Sequence, residues 1–555
     1  MNSIFIVIEK YKWYLTSWFL LNVLQATYTN LHYDEAYYWI YSKILNWGYF
    51  DHPPMVSITT KLGDIISHTT LGIRIIPILM GTIVLVGVLS LIDNKKNNIN
   101  PFFFIISFPL VSSHIAGFLT LPDASLCFFF VLYLFAYKKY LLDESKANIL
   151  ILSVTIAFMI YSKYHALLII AITLISNIKL IYKKSFWLVT FLTVIILSPH
   201  IIWQFENSFP SILYHVDTRT TGFKFTNITD FLFSQIILAG PLIGIFIIYL
   251  AISFSPKDIF EKTLKNIALG FYFFLLLYSF RSRIEAHWVS VSTISLIIIS
   301  FKQLSNKPKI EKYIKLLIYP TIFLILISRI ILLGNNFERE LSFKSNFLDM
   351  QSWANELDSV SKGFPILFTN KYHDHAVYSF AKNQWKEASP SYYSRFSQLD
   401  FYKTDSILDG KKVFALSYGK DIEWKSKNNV KHRGSFIDNY YSYTGLEIKD
   451  VMLTNINSKI YLNFTLENKT NKNRLFYKDS KQKLKLHIKI NDSEFKHYLF
   501  EISEKNEILK NEKIKYKIPI NQHYKNKVTI NLTLASNSLR VFNINKKIPI
   551  YYANN

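Results

Sequence analysis

The chain has 555 residues, 50% hydrophobic and 16% aromatic, with a formal net charge of +24. Apolar stretches of about 20 residues, the length that spans a bilayer, are too many for a soluble protein of this size. The charge does not indicate nucleic acid, because many lysines form short clusters between apolar runs; the one cysteine, Cys127, excludes an intramolecular disulfide and a multi-cysteine metal site.

The first apolar run, near 13–31, lacks a small-residue cleavage site and reads as a retained span. Further spans are expected near 72–92, 101–118, 120–137, 147–162, 164–181, 186–203, 231–253, 264–280, 286–301 and 313–333, about eleven in all. The expected class is a polytopic α-helical membrane protein. One set of loops holds Lys10 and Lys12, Lys95 and Lys96, Lys138 and Lys139, Lys183 and Lys184, Lys257 and Lys262, and the run from Lys302 to Lys315. Lysine-rich loops face the cytoplasm, so the N-terminus is expected inside and the C-terminal part outside.

The alternate loops carry the unusual polar residues. They are "DEAYYWIYSKILNWGYFDHPP", "LTLPDAS", "YSKYH", "WQFENSFPSILYHVDTRTTGFKF" and "RSRIEAHW". All fall on the expected outer face. In the first, Ala36, Ile40, Ile44 and Leu45 have helical spacing, which predicts a Trp/Tyr-rich amphipathic helix in the membrane interface. Asp34 in its first turn is either an N-cap or a carboxylate held at the surface as a general base. Asp34 and Glu35 point about 100° apart on a helix, too divergent to flank one bond together. Pro53 and Pro54 stiffen the next segment and fix the direction of Asp51 and His52. That segment is either a plain helix-ending loop or a site where Asp51 binds a cation or orients a base while His52 meets a phosphate. Asp123 opens a span as a cap or a functional carboxylate. Lys163 either snorkels or serves the outer face. Arg219, Arg281 and Arg283 join His215 and His287 there. Cations beside carboxylates at headgroup depth suit an anionic lipid phosphate.

Beyond Leu333 the composition changes. Residues 335–445 read as a small α/β domain. From 446 to 555, alternating runs such as "KLKLHIKI" and "KVTINLTL" read as a β-sandwich-like domain. Both are expected outside the cytoplasm, after a membrane domain at 1–334.

As a series, "YDEAYYW", "GYFDHPPM", "LPDAS", "SKYHALL", "WQFENSFPSILYH" and "RIEAHW" resemble the bacterial GT-C glycosyltransferases of the protein-mannosyltransferase and aminoarabinose-transferase type. The resemblance covers roughly residues 30–300. It implies a multi-pass protein of the bacterial inner membrane that takes a sugar from a polyprenyl-phosphate carrier and transfers it outside the cytoplasm, usually with inversion. The acceptor would be lipid A or another envelope glycan or protein. The resemblance makes Asp34 the expected catalytic carboxylate, with Glu35 beside it, and matches Asp123 to a further acidic position. Arg283, Glu285 and His287 match a late outer-loop motif and are expected to bind substrate or lipid phosphate. The aminoarabinose transferases carry Glu-Lys before the two prolines, the acid linked to a metal and the lysine to the lipid phosphate. Here Asp51 and His52 stand in those places. The expected phosphate cations are His52, Lys163, Arg219 and Arg283; a divalent metal at Asp51 is a further expectation. No nucleotide cofactor is expected, since no phosphate-cradling glycine loop is present. The alternative is a transporter or flippase of a lipid-linked sugar, which would place polar groups at the midplane rather than at one face.

Overall fold

The computed structural model describes residues 2–92, 97–214, 222–333, 347–369, 372–385, 397–402, 407–426, 430–440, 442, 445–456, 459–470, 473–475, 484–490, 496–498, 507–520, 528–536 and 539–550. The chain packs as two compact units, Met1–Met350 and Gln351–Asn555.

The first unit is helical. α1 (Asn2–Tyr28) leads through a two-residue strand, β1 (Leu31–His32), into α2 (Tyr33–Lys43). α3 (Met55–Ile66) and α4 (Thr70–Ile92) follow. Then come α5 (Pro101–Ile106), α6 (Pro122–Leu142), α7 (Lys146–Ser162), α8 (His165–Ser176) and α9 (Lys184–Glu206). The series ends with α10 (Pro210–Leu213), α11 (Phe225–Leu238), α12 (Gly244–Ser253), α13 (Ile259–Ser279), α14 (Ser290–Leu304) and α15 (Pro308–Ile331). Among the described residues, α4, α6, α9 and α15 are long and apolar enough to cross a membrane by length and composition. The interior of the unit is one apolar cluster in which α14 is buried at every residue but Lys302. Helices such as α9 instead keep Phe191, Val194 and Ile195 on an exposed apolar face suited to lipid.

Two expected spans are interrupted. The stretch 101–118 is a short α5 followed by a π turn, Val111–Ile115. The π turn is tied down by α1, since Trp18 Nε1 and Asn22 Nδ2 both donate to the Ala116 carbonyl (2.8 and 3.0 Å). Arg329 of α15, which also donates to Asn22 and Gln25 of α1, donates to the Ser112 carbonyl. The stretch 231–253 breaks between α11 and α12 at Gly240, whose φ of +130° an L side chain rarely adopts.

α2 also departs from expectation. It is not amphipathic: Glu35 through Ser42 are all buried. The exposed apolar side chains lie just after it, at Ile44, Leu45 and Trp47. The helix is wrapped by protein and the loop behind it carries the exposed apolar surface.

β2 (Phe347–Leu348) pairs antiparallel with β1 and closes the first unit. The second unit opens on a helix, Met350–Ser361, and builds a four-stranded sheet in the order β3-β4-β6-β5. Its strands are β3 (Ile366–Phe368), β4 (Lys411–Leu416), β5 (Ile422–Lys425) and β6 (Lys431–Tyr440), with β3 and β4 parallel and the rest antiparallel. Next come β7 (Leu446–Ile456), β8 (Lys459–Asn468), β9 (Arg474–Leu475), β10 (Leu484–Ile490) and β11 (Lys496–Tyr498). β12 (Glu507–Ile508), β13 (Lys513–Ile520), β14 (Val528–Ser536) and β15 (Leu539–Ile550) complete the chain. They form the antiparallel sheets β13-β8-β7 and β11-β10-β14-β15 and the pair β12-β9. One apolar core joins Leu367 and Val413 of the first sheet to Leu462, Leu486 and Leu532 of the later ones.

Candidate active site

The site is built around α2 and the loop that follows it. His32 is the N-cap of α2: its Nδ1 accepts from the Asp34 backbone N–H (3.2 Å), and Glu35 accepts from the His32 N–H (3.0 Å). This is a reciprocal capping box. Asp34 is therefore not the cap. It sits in the first helical turn with its side chain 33% exposed, the accessible carboxylate of the adjacent pair.

Glu35 is the opposite case. It is fully buried, and Arg74 of α4 grips it with two donors, Nε to Oε1 at 2.9 Å and Nη2 to Oε2 at 2.5 Å. Thr120 N–H adds 2.8 Å to Oε1, and His32 N–H completes Oε2. Burial alone raises a carboxyl pKa, but the Arg74 charge and these hydrogen bonds outweigh it and hold Glu35 below its ordinary value. All four acceptor positions are filled, which leaves no lone pair for a substrate. Arg74 also donates to the carbonyls of Ala26, Thr29 and Asn30, so the pair stitches α1, α2, α4 and the Thr120 segment together. Arg74 was not foreseen from the sequence. The signal was there, since an arginine inside an apolar helix is costly unless it has a partner.

The loop 44–54 is held from several directions. Tyr49 stacks on Tyr41 (centroids 4.3 Å, 13°), and its N–H donates to the His52 carbonyl (3.0 Å). Ser211 donates to the Tyr49 carbonyl (2.9 Å), and His200 Nδ1 lies 2.6 Å from the Trp47 carbonyl. Gly48 lies under the Trp203 indole, which any Cβ would strike at 2.3 Å. Within this frame Asp51 accepts a hydrogen bond from the Tyr41 hydroxyl and is buried. His52 Nε2 lies 3.1 Å from the Tyr38 hydroxyl. Burial pushes the His52 pKa down, and the charge of Lys163 adds to that, while Asp51, Asp123 and Asp34 pull the other way; the net direction is downward. Burial and the charges of Asp34, Asp51 and Asp123 push the Tyr38 phenol well up, so it stays protonated.

Those influences show what the fold brings together. Asp34, Asp51, Asp123 and Lys163 all act on the one imidazole of His52. The Lys163 ammonium reaches both oxygens of Asp123, at 2.9 and 2.8 Å, and both side chains are buried. A lysine has three donors, so Asp123 occupies two of them. His287 stacks on His114 (centroids 4.8 Å, 15°), and its field neighbours are Asp123, Lys163, Glu285 and Asp34. His114 sits on the π turn and was not singled out in the sequence because it lies inside an apolar run. Arg283 is exposed in the segment before His287, with Glu285 between them. Arg219, with His215, lies outside the described residues.

Asp64 of α3 is a further residue the sequence reading passed over. It accepts from Trp39 Nε1 (2.9 Å) and Lys43 Nζ (2.8 Å) and lies 2.7 Å from His68 Nδ1. Burial would raise its pKa, but these three donors hold it well below the ordinary carboxylate range. It ties the end of α2 to α3.

Among the described residues, no group of three or more His, Cys, Asp or Glu side chains is arranged to hold a metal ion.

Residues 51–203 match the family model described as dolichyl-phosphate-mannose-protein mannosyltransferase. That range contains Asp51, His52, Asp123 and Lys163. No curated protein sequence matches the chain. Among solved structures, ArnT from Cupriavidus metallidurans in the apo state is similar, with a TM-score of 0.52 and 11% identity over 79% of this chain and 99% of that one. The same protein bound to undecaprenyl phosphate gives 0.50 and 12%, over 79% of this chain and 100% of that one. At such identities the likeness speaks of fold alone: the chain shares the fold of ArnT. The resemblance read from the motif series is therefore borne out by a family model over 51–203 and by the architecture.

Proposed function

We propose that the protein is an integral membrane glycosyltransferase that moves a sugar from a polyprenyl-phosphate carrier, undecaprenyl phosphate in bacteria, to an extracytoplasmic acceptor such as lipid A or another envelope glycan or protein. The observation that carries this reading is the buried Lys163–Asp123 pair, whose charges reach His52, together with the Tyr38–His52 and Tyr41–Asp51 contacts of a loop held by three helices. The mannosyltransferase match and the fold shared with a protein that binds undecaprenyl phosphate support it.

In this reading the carrier phosphate lies against Lys163 and His52, with Arg283, Glu285, His287 and Arg219 completing the substrate groups. Lys163 keeps one donor beyond the two that Asp123 takes. As the bond from the anomeric carbon to the phosphate oxygen breaks, charge grows on the leaving polyprenyl phosphate and these donors stabilise it. Asp34, the accessible carboxylate, takes the proton of an acceptor hydroxyl as its oxygen forms the new bond to that carbon, from the opposite side and hence with inversion. Were the acceptor a phosphate, already ionised near neutral pH, Asp34 would orient it instead. Asp123 fixes Lys163, and Glu35 fixes the first turn of α2 without touching substrate. Asp51 directs the loop through Tyr41.

The orientation follows the lysine-rich loops: N-terminus in the cytoplasm, second unit outside, in the bacterial inner membrane. The shorter apolar helices complete a set of about eleven crossings by tilting and pairing.

The test uses the full chain in nanodiscs with a synthetic polyprenyl-phosphate sugar and envelope glycolipid acceptor. Mass spectrometry of the acceptor should gain one sugar, and Asp34→Asn should lose the product while still binding carrier. In sealed proteoliposomes, carrier movement across the bilayer without glycosylated product would favour a flippase.

A further inference from the structure

His114 and His287 reach each other from two irregular turns. His114 sits on the π turn Val111–Ile115, and His287 on a single 3-10 turn, Ala286–Val289, in front of α14. Neither turn is loose. Trp18 and Asn22 hold the π turn at the Ala116 carbonyl, and α4 packs so closely that a Cβ on Gly81 would lie 2.7 Å from the Ala116 Cα. Gln235 of α11 donates to the Ala286 carbonyl (3.4 Å), and Ser290 donates to the His287 carbonyl. π turns are rare and frequently mark functional sites. Here two such fixed turns bring the imidazoles together, nearly parallel at 15° and 4.8 Å apart. The edges of the stack are open. His114 uses one nitrogen, Nδ1, which lies 2.7 Å from the Ser113 hydroxyl. Its Nε2 and both ring nitrogens of His287 have no hydrogen-bond partner among the described residues. Both residues are only partly buried, so neither ring is closed off from an incoming group.

Charge decides what that group can be. Three carboxylates, Asp123, Glu285 and Asp34, act on His287 together with one ammonium, Lys163. Asp123, Lys163, His287 and His32 act on His114. Arg329 of α15 meets the same π turn but spends its donors on Ser112, Asn22 and Gln25, and Arg283 is exposed. A phosphate anion brought beside three carboxylates and one ammonium is repelled unless a positive charge appears with it. Histidine is the side chain that supplies one near neutral pH. Three carboxylates favour that charge on His287, whereas only Asp123 does so on His114. Two stacked imidazolium rings would repel each other, so the stack takes one proton and not two.

We propose that the His114–His287 stack is a proton-coupled phosphate subsite: His287 takes one proton from solvent as the carrier's phosphate binds, and His114 stays neutral as the ring beneath it. His287 then donates to a phosphate oxygen as a cation. His114 is a positioning residue, fixed by Ser113, whose flat face supports the charged ring. The proposal rests on the reading that the site binds a polyprenyl-phosphate sugar.

The experiment is a calorimetric titration of the full chain in nanodiscs with a polyprenyl-phosphate sugar, whose phosphodiester does not itself titrate near neutral pH. Run at about pH 8, where an ordinary imidazole is neutral, in two buffers of unequal ionisation heat, it counts protons directly. The wild type should take up about one proton per carrier bound, and its affinity should fall by up to about tenfold per pH unit as pH rises. His287→Lys brings its charge permanently, so it should bind carrier with no uptake and a flat pH profile. His287→Asn should bind at least about tenfold more weakly, again without uptake. His114→Phe keeps a ring beneath His287 and should keep the uptake, whereas His114→Ala should weaken binding severalfold. Carrier binding without uptake in the wild type overturns the proposal and leaves the transferase reading standing. Uptake that survives in His287→Lys, or vanishes in His114→Phe, does the same. Absence of carrier binding at every pH overturns both, and proton-coupled binding without sugar transfer overturns the transferase reading alone.

Discussion

Asp34 and Glu35 are chain neighbours of the same chemical type with opposite surroundings. The capping box led by His32 turns one carboxylate into the interior and leaves the other at the helix mouth. Asp34→Asn is expected to lower kcat by about 10²–10⁴-fold with carrier affinity unchanged, read by single-turnover transfer and a separate binding titration. Glu35→Gln keeps the shape but leaves the Arg74 guanidinium in a dry site without its countercharge. The loss is expected to be about 3–5 kcal/mol, measured as a shift in denaturant midpoint. Acid sensitivity has two parts. A Glu35 pKa held below 4.5 in the fold contributes stability that is complete above 4.5 and is lost as pH falls through the lowered value. A His52 pKa pushed below 6.5 means the unfolded chain binds the proton more readily, so stability declines as pH drops under 6.5. Between pH 7 and 5 the unfolding midpoint of wild type should therefore fall more steeply than that of His52→Gln. Asp34, Asp51, His52, Asp123 and Lys163 were legible in the sequence because each interrupts an apolar pattern where charge is costly. Arg74 and His114 were not, because a single polar residue inside a hydrophobic run does not announce its partner, and the partners lie 39 and 173 positions away.

At the scale of elements, α2 shows what composition conceals. Its tyrosines and tryptophan read as an interfacial belt, yet they are packed inside, where hydroxyl and indole groups reach Asp51, His52 and Asp64. An aromatic side chain with a polar tip suits a lipid surface or a buried network equally well, and periodicity does not distinguish them. The broken spans at 101–118 and 231–253 escaped notice for a related reason: a π turn and a bend at Gly240 leave hydrophobicity unchanged. Asp64 locks α2 to α3 and so fixes both ends of the loop that carries Asp51 and His52. Asp64→Ala strands Lys43 and the Trp39 N–H at once. The expected outcome is a stability loss of about 1–3 kcal/mol together with a raised KM for carrier, since the loop is looser while Asp34 is intact. A change in kcat alone would contradict this division of labour.

For the whole molecule, the sequence showed a membrane protein with a strand-rich tail, through spacing and alternation. It could not show that one core runs from Leu367 to Leu532, because long-range packing leaves no local pattern. Orientation can be measured cleanly. Cys127 is the chain's one cysteine and is buried, so Cys127→Ser gives a background without reactive thiols. On it, Asn46→Cys should react with a membrane-impermeant maleimide in intact cells stripped of the outer membrane. Lys257→Cys should react only after lysis. The opposite order would invert the proposed topology.

The Glu35–Arg74–Thr120 junction has a consequence for synthesis. A ribosome delivers Glu35 first, its countercharge 39 residues later, and the last donor, the Thr120 N–H, only after a further 46. Until α4 has entered the membrane, the carboxylate has no partner with which to leave water, and until residue 120 has emerged one oxygen is only half satisfied. This end of α2 therefore cannot set before the chain has been made as far as the start of α6. The junction makes the first turn of α2 one of the last parts of this region to lock, after the helices it joins have been made.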